Sequence, residues 1–392
     1  MTDFNQAISI IRRNGGFKPN RKDTSYYRTY TIEGNRPLQA RISNHGTWLW
    51  TWYDKDYDPS YAINFCVVFS ENGEYDSDVS VDMDIKDEEG NAAAASENKE
   101  MAEAAIDSAF ALCAELDKKL SRTQDASEIS ELNNAGGEWT EVSSDTAELI
   151  AKGLDYSAMS DGDFDITIGG VTDLWDFHAD PEDARVPDPA DLGEAVKHVD
   201  YRNVEIDGNK LRIKDPEAKI DLGGIAKGYI GDRMTEVLED AGVTSGIINL
   251  GGNVICVGAK DNGASGEDGA FVIGVEAPYS DRTEIVGKIR AKDMTLVTSG
   301  VYERQIEVEG KKYHHILSTD NGYSVETDLD AVTLTGAKGQ SVDLDALSTI
   351  CLIKGHDEAK KLIENTEGVE AVFILHDGNI DQTSGMEFEP EE

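Results

Sequence analysis

The first quarter of the chain alternates. SYYRTYTIE, LQARISN, TWLWTWY and YAINFCVVFS switch between apolar or aromatic and polar residues, and the turn formers EGN, NHG and ENG stand beside them. A period of two marks half-buried strands. This stretch therefore predicts a small antiparallel β-rich module, with FNQAISIIRR as a short helix before it. Trp48, Trp50 and Trp52 would share one face of such a strand. That face is read as a half-buried sheet surface, or alternatively as a sticky contact for a partner or for the following domain.

The period then lengthens. Residues 84–100, DIKDEEGNAAAASENKE, are acidic and then small, and read as a linker or as a loop leading into a helix. In KEMAEAAIDSAFALCAELDKKLSR, residues Ala105, Phe110, Leu112, Leu116 and Leu120 form one apolar stripe of a helix. DTAELIAKGLDYSAMS predicts another helix, and GYIGDRMTEVLEDAG a third, ending at Gly242. RNVEIDGNKLRIK predicts a hairpin around Asp207-Gly208. GIINLGGNVICVG and FVIGVEAP are strand-like, and HDEAKKLIENTEGVEAVFILHDG reads as helix, turn and strand. The acidic end, MEFEPEE, reads as frayed. Interleaved helices and strands predict an α+β fold, divided into a β-rich module over 1–95 and a larger domain over 96–385.

Charge narrows the function classes. The chain has 392 residues, 39% hydrophobic and 29% charged, but a formal net charge of −41. Such a surface repels phosphates, so nucleic acid and anionic membranes are excluded as leading partners. The four cysteines, Cys66, Cys113, Cys256 and Cys351, are far apart, and buried free thiols suit them better than disulfides or zinc. The opening MTDFNQAISIIRRNGG shows no signal peptide and no lipoprotein-type cysteine. No stretch approaches the roughly 18 apolar residues of a membrane span. The expected compartment is the cytoplasm.

Candidate chemistry lies in four places. IDLGGIAKGYIGDRM (220–234) predicts strand, Gly-Gly turn and helix, a junction that aims free N–H groups at an anion, with Lys227 as a point charge; many such junctions hold no ligand. INLGGNVICVG (248–258) contains a second Gly-Gly turn, either a backbone approach to a ligand or a tight turn in a sheet. In DLDALSTICLIKG (343–355), Asp345 and Thr349 share a helix face, as a carboxylate and a hydroxyl would for magnesium; a helix-capping Asp is the alternative. In TSGVYERQIEVEGKKYHHILSTDNG (298–322) a Thr-Ser-Gly turn meets a hairpin around Glu309-Gly310 that delivers Tyr313, His314 and His315; histidine is the commonest acid–base group near neutral pH, and a plain surface histidine is the alternative.

The order of these pieces is more specific than any one of them. LSRTQDASEISELN (120–133), GDFDITIGG with LWDF (162–170, 174–177), IDLGGIAKGYIGD (220–232), NLGGN (249–253), TSGVYER (298–304), YHHIL (313–317) and DALSTICLIKG (345–355) together resemble the FAD:protein FMN transferases, the ApbE-like family. The resemblance implies an α+β fold with mixed sheets around a flavin cleft. It implies FAD as substrate, Mg2+ as cofactor, transfer of FMN to a Thr or Ser hydroxyl of an acceptor flavoprotein subunit, and release of AMP. Asp345 and Thr349 match the family's metal pair, the main-chain carbonyl of Gly224 a third protein oxygen, and Ser348 a neighbour in that shell. Asp221, Lys227, Asp163, Phe164, Asp165 and Ile316 match flavin-nucleotide positions. His315 is the acid–base or phosphate-orienting candidate, with Asp345 as the alternative proton acceptor.

Three departures stand out. Thr123 occupies a position where the family commonly stacks an aromatic residue. Ser318-Thr319 and Gly322-Tyr323-Ser324 replace the usual proline-containing loop. The usual opening strand is not recognisable, and the 1–95 module is expected to supply it through YAINFCVVF or to cover the cleft; the alternatives to transfer are a FAD-binding protein or slow FAD pyrophosphatase of the same fold, and a degenerate interaction protein.

Overall fold

A computed structural model describes residues 18–19, 26–32, 38–43, 63–71, 74–83, 92–177, 182–259, 269–280 and 284–391, with side chains from residue 104 onward. The FNQAISIIRR helix, the strand carrying Trp48, Trp50 and Trp52, and residues 84–91 lie outside the described residues. The chain divides into two compact units. One holds residues 1–109, 235–271 and 291–293, and the other holds 110–234, 272–290 and 294–392.

In the first unit, strands run in the order Lys18–Pro19, Tyr26–Ile32, Leu38–Ser43, Ile63–Glu71, Glu74–Met83, Ser245–Leu250 and Asn253–Gly258. Every neighbouring pair is antiparallel. Gly251 and Gly252, at φ 60° and 99°, make the tight turn between the last two strands, a backbone that glycine adopts without strain. One expectation is corrected here. YAINFCVVF forms the Ile63–Glu71 strand, but it is Glu74–Met83 that pairs with Ser245–Leu250. That strand was hidden because Val79, Val81 and Met83 alternate with acidic residues and serines that resemble the linker that follows. The helix begins at Ala92, so half of the 84–100 segment is helical. The unit containing residues 1–95 thus also contains 235–271, and the boundary at 95 stays a reading of the sequence.

In the second unit, Met294–Gly300, Leu329–Ala337, Glu370–Leu375 and Ile380–Gln382 form an antiparallel array in that order. Val297, Val332, Leu334 and Phe373 from this array pack with Leu344, Leu347, Cys351 and Leu352 of the Ser341–Lys354 helix and Ile363 of the next helix. A second core takes Val342, Ala346 and Ile350 from that same Ser341–Lys354 helix. It adds Leu116, Ile129, Leu149 and Ile150 from other helices, Leu211 from the Val204–Ile213 hairpin, and Phe164, Ile220 and Leu222 from loops. A helix apolar on nearly all sides is one buried on nearly all sides. It therefore carries its polar residues, Asp345 and Ser348 among them, into the interior.

The predicted hairpins form, but the expected Thr-Ser-Gly turn is instead the end of the Met294–Gly300 strand, paired with residues 331–333. Val204–Asp207 pairs with Lys210–Ile213, and Gln305–Val308 with Lys311–His314 through Glu309 and Gly310 at φ 53° and 79°. The tail is the other correction. Phe388–Pro390 is an edge strand paired with Ile285–Ala291, and Lys288 holds Glu391 at 2.7 Å. Phe388 and Pro390 alternate with glutamates, and an edge strand tolerates a proline.

Candidate active site

Two helix starts meet at Asp345. Its carboxylate is 2% exposed, and Oδ2 accepts the Gly228 N–H at 2.9 Å. Gly228 lies in the first turn of the Ala226–Asp240 helix, where N–H groups lack intrahelical partners. Because that N–H goes to Asp345, the Gly224 carbonyl four residues back receives no hydrogen bond from it, whereas Tyr229 N–H does reach the Ile225 carbonyl. The Lys227 ammonium stands 4.0 Å from Asp345 Oδ1.

One turn along the Ser341–Lys354 helix, Thr349 Oγ1 makes only a long 3.3 Å bond to the Asp345 carbonyl. Gly224 lies beside it, since a Cβ on Gly224 would be 3.4 Å from Thr349 Oγ1 and 3.0 Å from the Phe164 ring. The Asp345, Thr349 and Gly224 segments are thus brought together from positions far apart in the chain. Ser348 is fully buried; its hydroxyl donates to the Asp345 carbonyl at 2.8 Å and meets Ser299 Oγ at 2.8 Å. That hydroxyl is engaged inside the protein.

The loop before the Gly-Gly turn is held by ion pairs. Asp221 Oδ1 accepts Gly223 N–H at 2.8 Å and Oδ2 pairs with Arg122 Nε at 3.0 Å. Arg122 also binds Asp173, which takes Lys219 at 2.6 Å. Asn133 brackets Ile220, accepting its N–H and donating to its carbonyl. Thr123, next to Arg122, is exposed and its hydroxyl meets Ser121 Oγ at 3.1 Å.

The GDFDI segment divides its residues. Asp163 is exposed and pairs with Lys354 at 2.9 Å. Phe164 is buried in the core. Asp165 is buried, accepting from Thr167 N–H, Thr167 Oγ1 and Tyr201 N–H. Burial pushes its carboxyl up, against the pull of these donors. Its oxygens hold the loop to the protein.

The Gln305–His314 hairpin runs directly into His315. The His315 N–H donates to the Arg304 carbonyl at 3.1 Å, and Nδ1 lies 3.3 Å from the same oxygen. Burial, with the Arg304 guanidinium, pushes its pKa down to about 3, and the Lys227 ammonium adds to this. The imidazole is therefore neutral near pH 7; with the proton on Nδ1, Nε2 is left able to accept one. His314 is anchored instead: its Nε2 donates to the Val325 carbonyl at 3.2 Å, and burial holds its pKa down at about 4. Ile316 sits in the hydrophobic core.

The sequence of motifs and this geometry agree with a matched family. A model of the ApbE family covers residues 77–373, beginning inside the Glu74–Met83 strand. The chain belongs to the ApbE family. Among its relatives, a FAD:protein FMN transferase of Treponema pallidum is 30% identical over 294 residues, which are 72% of this chain and 80% of that protein. One of Klebsiella pneumoniae is 30% identical over 283 residues, covering 71% and 84%. Among solved structures, the ApbE protein of Thermotoga maritima superposes with a TM-score of 0.67 at 28% identity, over 82% of this chain and 97% of that one. The apo flavinyl transferase ApbE of Pseudomonas stutzeri gives 0.66 at 26% identity, over 82% and 95%.

In this ApbE-family chain the oxygens that these neighbouring segments offer are hard ones: one carboxylate, one hydroxyl and one main-chain carbonyl. Such a set fits magnesium, which keeps several waters and takes one or two carboxylates. No cluster of three or more His, Cys, Asp or Glu side chains suited to a metal occurs among the described residues, so a zinc-type ligand set has no counterpart there. Sequence reasoning missed Arg122, Ser299 and Asn133 as parts of the arrangement. Arg122 and Asn133 lie inside the quoted LSRTQDASEISELN motif, and Ser299 inside TSGVYER, so the motifs held the signal without the roles. No helix among the described residues is long and apolar enough to cross a membrane.

Proposed function

We propose that this ApbE-family enzyme transfers FMN from FAD to a Thr or Ser hydroxyl of an acceptor flavoprotein, with AMP leaving. The observation that carries this reading is the buried Asp345 carboxylate, anchored through one oxygen by Gly228 and bordered by Lys227, on the same helix as Thr349 and close to Gly224. Asp345, Thr349 and the Gly224 carbonyl would hold a magnesium ion. That ion would neutralise charge on the pyrophosphate. Lys227 adds a fixed positive charge beside it in a protein whose overall field opposes FAD.

His315 Nε2 takes the proton of the attacking hydroxyl. The new bond forms between that oxygen and the FMN phosphorus. The bond from that phosphorus to the bridging oxygen breaks, and AMP leaves with the electron pair. Asp221 with Arg122 fixes the Gly-Gly loop, while Asp163, Phe164, Asp165 and Ile316 shape the segments that bound the nucleotide. Ser348 supports Asp345 from within the helix. The acceptor is a protein, and the cytoplasm is the compartment in which we expect to find it.

A second reading rests on Thr123. An exposed hydroxyl stands where a flavin-stacking ring is usual, so water could replace the protein acceptor and the enzyme would hydrolyse FAD slowly to FMN and AMP. Purified protein with FAD, MgCl2 and a candidate acceptor distinguishes the two. FMN-sized mass gain on the acceptor with stoichiometric AMP supports transfer. AMP with an unlabelled acceptor supports hydrolysis, and no AMP removes both.

A further inference from the structure

The Ser341–Lys354 helix has no side-chain cap of its own, since Gln340 makes none. Its first N–H groups are satisfied from another helix. Asp232 Oδ1 accepts Ser341 N–H at 3.1 Å and Oδ2 accepts Val342 N–H at 3.0 Å. The favour is returned one turn further along, where Asp345 of the capped helix accepts Gly228 N–H of the helix that carries Asp232. Each helix start is thus held by a carboxylate from the other. Gly228 makes this approach possible, because a Cβ there would lie 2.3 Å from the Ser341 carbonyl oxygen. Thr295 Oγ1 meets Ser341 Oγ at 2.7 Å and holds the same residue from the sheet side.

We propose that Asp232 is a positioning residue that sets Asp345 and Thr349 for the cation. This inference rests on the magnesium reading above and deepens it. Asp232 lies on the Ala226–Asp240 helix, as does Gly228, and Gly224 leads into it. Fixing the Ser341–Lys354 helix against this helix fixes two of the three oxygen donors against the third. Magnesium demands near-octahedral geometry at short distances, so a slip of about 0.5 Å along the helix axis is enough to lose it. Asp232 touches neither reacting atom nor cation. It acts through the two N–H groups, much as outer partners of metal ligands do elsewhere, where their loss typically lowers metal affinity about 10–100-fold.

The test is calorimetric titration of MgCl2 into the full chain without nucleotide, since a free pyrophosphate would bind Mg2+ itself. Asp232→Ala and Asp232→Asn are compared with wild type. Asp188→Ala removes the cap of the Pro189–Ala195 helix, where Asp188 accepts Ala190 N–H at 2.8 Å, and serves as a control for cap loss alone. We expect the Mg2+ dissociation constant to rise at least about 10-fold in both Asp232 variants and to stay at the wild-type value in Asp188→Ala. If Asp232→Ala does not fold, Asp232→Asn, which keeps the shape and one acceptor oxygen, carries the measurement. An Asp232 variant that melts lower but binds Mg2+ as wild type does overturns the proposal and leaves the magnesium reading standing. Wild-type protein that takes up no Mg2+ overturns both.

Discussion

At the scale of single residues, the proposed mechanism gives the cation to Asp345 and the proton to His315. Asp345 is buried with one hydrogen bond from the backbone and a lysine at 4.0 Å. A carboxylate so placed is stabilised by a cation far more than by its present neighbours. Asp345→Ala should therefore abolish Mg2+-dependent turnover while the far-UV circular dichroism spectrum stays native; retained turnover would remove Asp345 from the metal site. His315→Gln should lower the transfer rate, by less than the about 10²–10⁴-fold of a base matched to neutral pH, because so low a pKa makes the imidazole a weak base. With its pKa pushed down to about 3, the wild-type rate should show no break near pH 6.5 from this group. The same shifts set a stability trend. His314 and His315, at about 4 and 3 when folded, take up protons near 6.5 when unfolded. Between pH 6.5 and 4 the unfolded chain binds more protons, so stability falls as pH falls. The melting temperature should drop over that window, and less steeply in His314→Gln. Thr123→Tyr should tighten FAD binding by ~1–3 kcal/mol if a ring there stacks as aromatic platforms do on bases.

At the scale of elements, the proposed cation site would depend on the paired helix starts. Gly228→Ala adds a methyl group where the Ser341 backbone already stands, so it should destabilise the protein by ~1–3 kcal/mol, as overpacking does. It should also weaken Mg2+ binding, read in the same titration. Much of the element pattern was legible beforehand. The Ser144–Met159 and Ala226–Asp240 helices, the Asp207-Gly208 and Glu309-Gly310 turns, and the strands either side of Gly251-Gly252 follow from period and turn chemistry. Others did not, the Leu329–Ala337 and Met294–Gly300 strands among them. Glu74–Met83 hides its apolar residues among aspartates and serines, and Phe388–Pro390 is too short and acidic to register without the Ile285–Ala291 strand that it pairs with. Local pattern names strands that are amphipathic in themselves, but not strands defined by a distant partner.

At the scale of the whole molecule, a net charge of −41 works against a substrate with two phosphates. The unfavourable long-range field is screened by salt, with a Debye length falling from about 10 Å at 0.1 M to about 3 Å at 1 M. FAD association should therefore speed up as KCl is raised from low to moderate concentration, the reverse of an electrostatically steered enzyme. Stopped-flow flavin fluorescence reads this directly, and a rate that falls with salt would mean that local cations such as Lys227 dominate the approach.

The sequence by itself determined the family, the α+β character and the identity of the chemical groups. These rest on residue order and short-range period, which the chain carries locally: DLGGIAKG, TSG, the histidine pair and the Asp345/Thr349 spacing are each readable in place. Only the tertiary structure decided which of those groups meet. It turned Asp165, Phe164 and Ile316 into the protein, engaged Ser348 with Ser299, left His315 neutral, and revealed Asp232 as the cap of the helix that carries Asp345 and Thr349. Burial, desolvation and backbone partners are properties of contacts between residues apart in the chain, 36 positions for Asp165 and Tyr201 and 117 for Gly228 and Asp345, and no local spacing encodes them.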